Sequence, residues 1–381
     1  MLFKLLFIIA TAFPQQIVAA GAVKGTPEGF ASGVTGGGSA APVTPTTNDE
    51  LVQYLGDSQP RVILLTKTFD FTNAEGTATE PGCAPWGNGP KCQLAINANG
   101  WCDNYQKGAK VASITYNKAG TNPIKVASNK SIIGQNMAGI LIGKGLSIRG
   151  SKNVIIQNIK IQNINPKYVW GGDAITLDNT DNIWIDHVTT SKIGRQHLVL
   201  GTSACGKVTV SNCEFDGQSD FSANCDGYHY WNALFLGSND QVTFMNNYLH
   251  HFSGKCVGCG PIMPVGNTVF HAVNNYWSDA SPTGHGFEID KGGYVLAEGN
   301  VFSGVKNVVI NGTGAAMAIT SSNASQCKAT LGRDCQANAF SNSGTFTGTD
   351  ASVLSKFPKA DFPNALAASS VKSTAAGYGK I

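Results

Sequence analysis

Charge is the scarcest commodity in this 381-residue chain. Asp, Glu, Lys and Arg make up 13% of it, about half of the roughly 25% usual in soluble proteins. The 27 basic and 24 acidic residues leave a net charge of +3, with no cluster of Lys and Arg. That excludes a nucleic-acid binder built on a basic stripe. It also excludes a disordered chain, which would carry more charge and less than the 42% hydrophobic content found here. Beyond residue 20 no apolar run approaches the ~20 residues that span a bilayer. Strong helix formers give way to Gly, Asn, Thr and Val, which argues against a helical bundle. What remains is a large, nearly neutral, β-rich globule with a sizeable core.

The first twenty residues read as a secretory signal. Lys4 gives a positive start, Leu5 to Ala12 is apolar, and Val18-Ala19-Ala20 offers small residues for cleavage. An exported protein can form disulfides, and the ten cysteines are an even number. Asn-X-Ser/Thr acceptors stand at Asn129, Asn311 and Asn323. No linker marks a second domain, so residues 21–381 are expected to form one unit, a secreted, extracellular monomer.

The middle of the chain repeats. Residues 153–159, 182–188, 207–213, 241–247, 269–275 and 294–300 each join β-branched or aromatic residues to an Asn-rich turn. Their first apolar positions, 154, 183, 208, 242, 269 and 295, are separated by 29, 25, 34, 27 and 26 residues. A loose period in the twenties suits an all-β fold of the solenoid type, a parallel β-helix with loop excursions. One coil cannot bury its inner face alone, whereas a stack can. Asn158, Asn212, Asn247, Asn275 and Asn300, with His187 substituting once, fall at one phase of the repeat. Asn accepts left-handed backbone at a sharp corner, and its amide can bond the next Asn in a stack. A β-sandwich is the competing fold, but hairpin dipeptides are scarce between these runs. Residues 21–124 are expected to form the first coils with long excursions and a short helix at 48–54, capped at Asn48 or Asp49. The Ala/Ser-rich tail is expected to pack along the outside.

Three segments carry chemistry. In Trp170-Gly171-Gly172-Asp173 a carboxylate follows two glycines at a coil edge. In Gly194-Arg195-Gln196-His197 an arginine follows a strand end. Cys225-Asp-Gly-Tyr-His-Tyr-Trp231 gathers aromatics beside a cysteine. His229, Tyr230 and Trp231, with Trp86, Trp101 and Trp170, suit a platform for sugar rings, because flat aromatic faces meet the apolar faces of pyranoses. Each segment alone also has a structural explanation as turn, surface or core.

Taken together with Gly33-Val-Thr-Gly-Gly-Gly38, Gly82-Cys-Ala-Pro-Trp-Gly87, Trp184-Ile-Asp-His187 and Ala272-Val-Asn-Asn-Tyr-Trp277, these segments resemble the secreted pectin lyases, a branch of the pectate lyase superfamily. The resemblance runs from about Gly25 to Phe346. It implies a single-stranded right-handed parallel β-helix. It also implies an endo-acting lyase that cleaves methyl-esterified galacturonan by β-elimination, with no cofactor and no metal. Pectin (homogalacturonan) is the implied partner, with no nucleic acid and, once the signal is removed, no membrane.

By the same resemblance Arg195 polarises the ester that pectate lyases would meet with calcium, and Asp173 orients it or the sugar. The stretch 188–201 holds no acid, which follows the pectin branch. Where the family carries a further arginine as base, this chain has Lys255, and Lys and Arg are not equivalent in geometry. A non-catalytic pectin-binding protein and a calcium-dependent pectate lyase therefore stand as alternatives. The resemblance pairs Cys83 with Cys102, Cys92 with Cys225 and Cys327 with Cys335. Cys205 and Cys213 are extra, as are Cys256 and Cys259, and each set is expected to pair internally. Behind His250-His251, Cys256 and Cys259 also permit a zinc site.

Overall fold

The structure, a computed structural model, describes residues 23–254, 262–264, 266–310, 312–358 and 362–381. The signal segment, Asn311 and the whole of Lys255, Cys256 and Cys259 lie outside them.

The chain winds into a right-handed parallel β-helix with three long faces. All six sequence repeats fall in one face, a ten-stranded parallel sheet in which Lys152–Gln157, Asp181–Asp186, Gly206–Ser211, Asp240–Met245, Thr268–Val273 and Gly293–Glu298 are successive neighbours. A second face of nine strands includes Lys160–Ile164, Thr189–Ile193, Glu214–Asp216 and Tyr248–His250, and a third of eight includes Leu146–Arg149, Ile175–Asp178, Leu198–Leu200 and Ala233–Phe235. Each coil visits the three faces in that order. One core fills the interior, with Val154, Ile183, Val208, Val242, Phe270 and Val295 fully buried and aligned coil on coil. Parallel strands need crossover connections and burial on at least one face, and the coil supplies both.

The register corrects the repeat in one place. Val242 pairs with Phe270, not Val269, so that run starts one residue later in phase. Val269 faces outward, against Phe30 and the C-terminal segment.

The Asn repeat divides into two adjacent positions. Asn158, His187, Asn212, Asn246 and Asn274 take left-handed backbone, with φ between 50° and 56°. After Asn246 and Asn274 it is the next residue that stacks. Asn247 Nδ2 donates to Asn275 Oδ1, Asn275 Nδ2 to Asn300 Oδ1, and Asn300 Nδ2 to Asn338 Oδ1, at 3.0, 3.0 and 2.9 Å. In these coils bending and bonding are divided between neighbouring residues. Asn158 and Asn212 belong to the corner, while Asn247, Asn275 and Asn300 belong to the ladder.

The excursion from the N-terminal coils forms a small sheet of Thr77–Ala84, Leu94–Ile96, Lys110–Asn117 and Tyr168–Val169 beside the main helix. The early helix spans Asn48–Gly56, and its cap is Thr47, whose hydroxyl accepts Glu50 N–H; the reading at Asn48 or Asp49 was late by a residue or two. The tail lies along the outside, where Asn274 Oδ1 accepts Leu366 N–H and Asn158 Oδ1 accepts Gly379 N–H. Among the described residues no helix is long and apolar enough to cross a membrane.

Three disulfides form as the resemblance implies: Cys83–Cys102, Cys92–Cys225 and Cys327–Cys335. The Cys205–Cys213 pairing is wrong; both thiols are free and buried. They flank the ends of strand Gly206–Ser211. An extended strand rises about 3.3 Å per residue, which puts the two cysteines far beyond the ~6 Å between α-carbons that a disulfide spans.

Candidate active site

One corner of the helix, between the second and third faces, carries Trp170, Asp173, Arg195, His229, Tyr230 and Trp231, and Trp86 and Trp101 reach it from the N-terminal excursion. Residues 165–174, 194–197 and 217–232 are the connections made there by three consecutive coils. The next connection, between Tyr248–His250 and Ile262–Pro264, contains Lys255 in chain order.

Glycine makes the corner compact. A Cβ on Gly172, at φ +136°, would lie 2.1 Å from Gly120 O, and one on Gly194 would lie 2.6 Å from Tyr168 O. Neither site admits a side chain. Asn165, buried at the start of the first connection, donates to Asn117 O and Gly171 O at 2.9 and 2.8 Å. That ties the loop holding Trp170 and Asp173 to the N-terminal excursion.

Arg195 and Asp173 come together on neighbouring coils. Arg195 Nη1 is 3.6 Å from Asp173 Oδ2, and Asp173 Oδ1 accepts Gln196 N–H at 2.8 Å. The guanidinium carbon lies 4.1 Å from the centre of the Trp170 ring, which is cation–π distance. Burial pushes the Asp173 carboxyl above its ordinary value, and the charge of Arg195 holds it back. Burial likewise lowers the Arg195 guanidinium, and Asp173 opposes that. Both side chains keep about a fifth of their surface exposed, 19% and 21%, so the arginine remains a cation within reach of a ligand.

The four candidate tryptophans form a continuous wall. Trp231 to Trp86, Trp86 to Trp101 and Trp101 to Trp170 are 6.2, 6.2 and 6.1 Å between ring centres, all half-buried. The Cys83–Cys102 bridge ties the excursion to itself on either side of Trp86, and Cys92–Cys225 fastens it to the corner of the helix.

His229 and Tyr230 do not join the tryptophan wall. They are 1% and 6% exposed, so they have no ring face to offer. Tyr230 packs edge-on behind Trp231 at 4.9 Å. The ring nitrogen Nε2 of His229 meets the Arg195 carbonyl at 2.7 Å, and burial pushes its pKa down to about 4. A neutral imidazole there donates N–H to the carbonyl. The fully buried His197 meets its ring edge-on at 4.5 Å and bonds the Thr190 hydroxyl at 2.7 Å. The motif spelled out these histidines, but their alternation on the connection, which hides His229 while exposing Trp231, is not legible from spacing. Gln93 has no sequence signal at all: its side chain reaches the carbonyls of Pro166 and Gly194, 73 and 101 residues away.

Calcium does not fit this donor set. It needs six to eight oxygens, whereas Asp173 offers one carboxylate, shared between a guanidinium and a backbone N–H. Among the described residues no three His, Cys, Asp or Glu side chains converge as a metal site. His250 instead bonds His251 and Glu214, at 2.8 and 3.3 Å.

A stacked β-helix with an indole wall leading to an arginine has the architecture of a carbohydrate-active protein. A family profile described as pectate lyase matches residues 87–381, and "Probable pectin lyase A" of Aspergillus clavatus is 55% identical over 98% of this chain and 99% of its own. "Pectin lyase B" of Emericella nidulans is 57% identical over 95% of both chains. Among solved structures, one reported for the anti β-elimination mechanism of pectate lyase aligns over 95% of this chain and 99% of its own, with a TM-score of 0.61 at 18% identity. A pectate lyase bound to hexasaccharide aligns over 96% and 100%, with a TM-score of 0.59 at 19% identity. The chain belongs to the pectate lyase family.

Proposed function

We propose that the protein is an endo-acting pectin lyase, cleaving methyl-esterified galacturonan by β-elimination. The observation that carries this reading is the guanidinium of Arg195, poised between Asp173 and the face of Trp170. A methyl ester offers no carboxylate to chelate, so a fixed hydrogen-bonding cation suits its carbonyl better than a metal ion. The full-length identity to proteins named pectin lyase supports the same substrate.

The elimination runs as follows. A base takes the proton at C5, α to the ester carbonyl, and the electron pair moves into an enolate whose oxygen meets Arg195. The pair then forms the C4–C5 double bond as the C4–O bond breaks, and the departing oxygen takes up a proton. Stabilising charge where it develops is worth more than binding the ground state. Asp173 fixes the arginine and keeps its charge in balance. The tryptophan wall holds the flanking sugars. Lys255 is assigned as the base; it lies outside the described residues, and its assignment rests on the sequence resemblance alone. A lysine serves as a base only as the neutral amine, a form that burial or neighbouring positive charge favours in general. The protein is further proposed to be secreted, through a signal at residues 1–20, and to act as a monomeric single domain.

The deciding assay follows ultraviolet absorbance of unsaturated uronides when purified protein meets highly methylated pectin with chelator present. Sustained product formation is expected. Product that disappears with chelator and returns with calcium would instead assign a pectate lyase. Binding without product would assign a non-catalytic pectin binder.

A further inference from the structure

Four hydrogen bonds grip the peptide units on either side of Arg195. Its own N–H donates to Gly172 O at 3.1 Å, and the following N–H, from Gln196, donates to Asp173 Oδ1 at 2.8 Å. Its carbonyl meets His229 at 2.7 Å. The preceding carbonyl, of Gly194, accepts Gln93 Nε2 at 2.9 Å. The first three come from the corner itself, whereas the fourth comes from the N-terminal excursion, which also supplies Trp86 and Trp101 to the tryptophan wall.

We propose that Gln93 is a positioning residue for Arg195: its side-chain amide clamps the loop of Trp170 and Asp173 to the turn that presents the guanidinium. The same Nε2 donates to Pro166 O at 2.9 Å. Its two hydrogens thus join consecutive coils at the point where the chain has left one face and not yet entered the next. The side chain is fully buried. Its main chain extends the clamp, since Gln93 N–H donates to Ser222 O and Leu94 N–H to Lys167 O, both at 3.0 Å. Cys92 beside it is bonded to Cys225. Position 93 therefore touches all three described connections of the corner.

The choice of residue follows from the task. Two carbonyls need two donor hydrogens on one atom, which a primary amide supplies and a carboxylate does not. Asparagine is a methylene short of reaching both while its backbone stays paired. Gly194 has no side chain of its own to steady the turn, so an external hold is needed there. A reacting group displaced by about 1 Å can cost a hundredfold in rate, and sites on loops depend on such support more than sites on strands. The inference rests on Arg195 being the enolate-stabilising group.

The test uses the full chain with Gln93→Leu and Gln93→Glu. For Gln93→Leu, kcat on methylated pectin should fall at least tenfold with KM changed less than twofold, because the wall and its disulfides remain. Measured against native protein at the same pH, Gln93→Glu should regain part of that loss as pH falls, when the protonated carboxyl again donates one hydrogen; a purely structural role would give no such relative pH response. Hydrogen exchange gives a readout independent of turnover: amides of residues 167–173 and 194–197 should exchange at least tenfold faster, with the ladder strands unchanged. Wild-type kcat in Gln93→Leu, or faster exchange spread over the whole helix, would overturn the proposal. If native protein forms no unsaturated product, the function reading fails by itself, and exchange alone decides the clamp. Should Gln93→Leu not fold, the pH response and exchange of Gln93→Glu decide it in the same way.

Discussion

Arg195 and Asp173 meet through only half of each group: one guanidinium nitrogen is 3.6 Å from Oδ2, while Oδ1 is spent on the Gln196 N–H. The rest of the arginine lies over Trp170. Such a partial pairing leaves hydrogen-bonding capacity for a substrate oxygen, where a bidentate pair would consume it. Replacing Arg195 with Ala should therefore lower kcat by two to three orders of magnitude, about 3–4 kcal/mol, the typical worth of one oxyanion donor. Arg195→Lys should recover little of it, because an ammonium has neither the fork nor the flat face that stacks on indole. Thermal unfolding should shift little in either variant. Near-normal turnover in Arg195→Ala would remove the residue from the mechanism.

Asp173 has a pH consequence. Burial raises its carboxyl above the ordinary value of 3.8, so on acidification it takes up a proton earlier than an exposed aspartate. Arg195 then loses its counter-charge, and kcat should fall on the acid side above pH 3.8. Asp173→Asn keeps an acceptor for Gln196 N–H and removes the titration. The variant should show a lower plateau, by roughly tenfold, the equivalent of 1.4 kcal/mol of lost charge interaction, and no acid limb from this group. A pH–rate profile that keeps its acid limb in Asp173→Asn would assign the limb elsewhere.

How much of this was legible in the sequence differs with the physics involved. The coil was readable because a stack aligns like with like: Val154, Ile183, Val208 and Val242 recur in register. Phase was harder. At Val269 the outer face is itself apolar, covered by the N-terminal strap and the C-terminal segment, so the first hydrophobe was not the inward one. Doubled Asn at 246–247 and 274–275 concealed that one bends the chain and the next bonds the stack. At the corner, residue types announced the tryptophans and Arg195. Irregular loops have no period, however, so nothing local separated the hidden His229 from Trp231 two positions on. Gln93 acts entirely through partners distant in sequence.

The free thiols give a chemical prediction. Cys205 and Cys213 are fully buried, and burial pushes both thiols up, away from the reactive thiolate. In native protein neither should react with iodoacetamide. After unfolding without reductant, both peptides should carry the label, while those of Cys83, Cys92, Cys102, Cys225, Cys327 and Cys335 should not. Peptide mass mapping checks this. A disulfide-linked peptide joining 205 to 213 would show that the strand between them is not extended.

Glu298, at the end of strand Gly293–Glu298, governs acid stability. Burial alone would raise its pKa, but hydrogen bonds from His271 and Arg333, at 2.8 and 2.7 Å, bring it from 4.5 down to about 2. The side chain is 0% exposed, so solvent does not screen the pairing. A carboxylate with a depressed folded value stabilises the native state above its unfolded value and loses that contribution as protons bind. The shift corresponds to roughly 3 kcal/mol. That stability should be fully present above pH 5 and should drain away as pH falls from 4.5 towards 2. Arg333 also donates to Pro363 O, so the first contacts to loosen should be those of the outer tail. Glu298→Gln cannot titrate, and its denaturant midpoints between pH 5 and pH 2 should decline less steeply than those of the native protein. Equal slopes in the two proteins would mean that other carboxylates control acid unfolding.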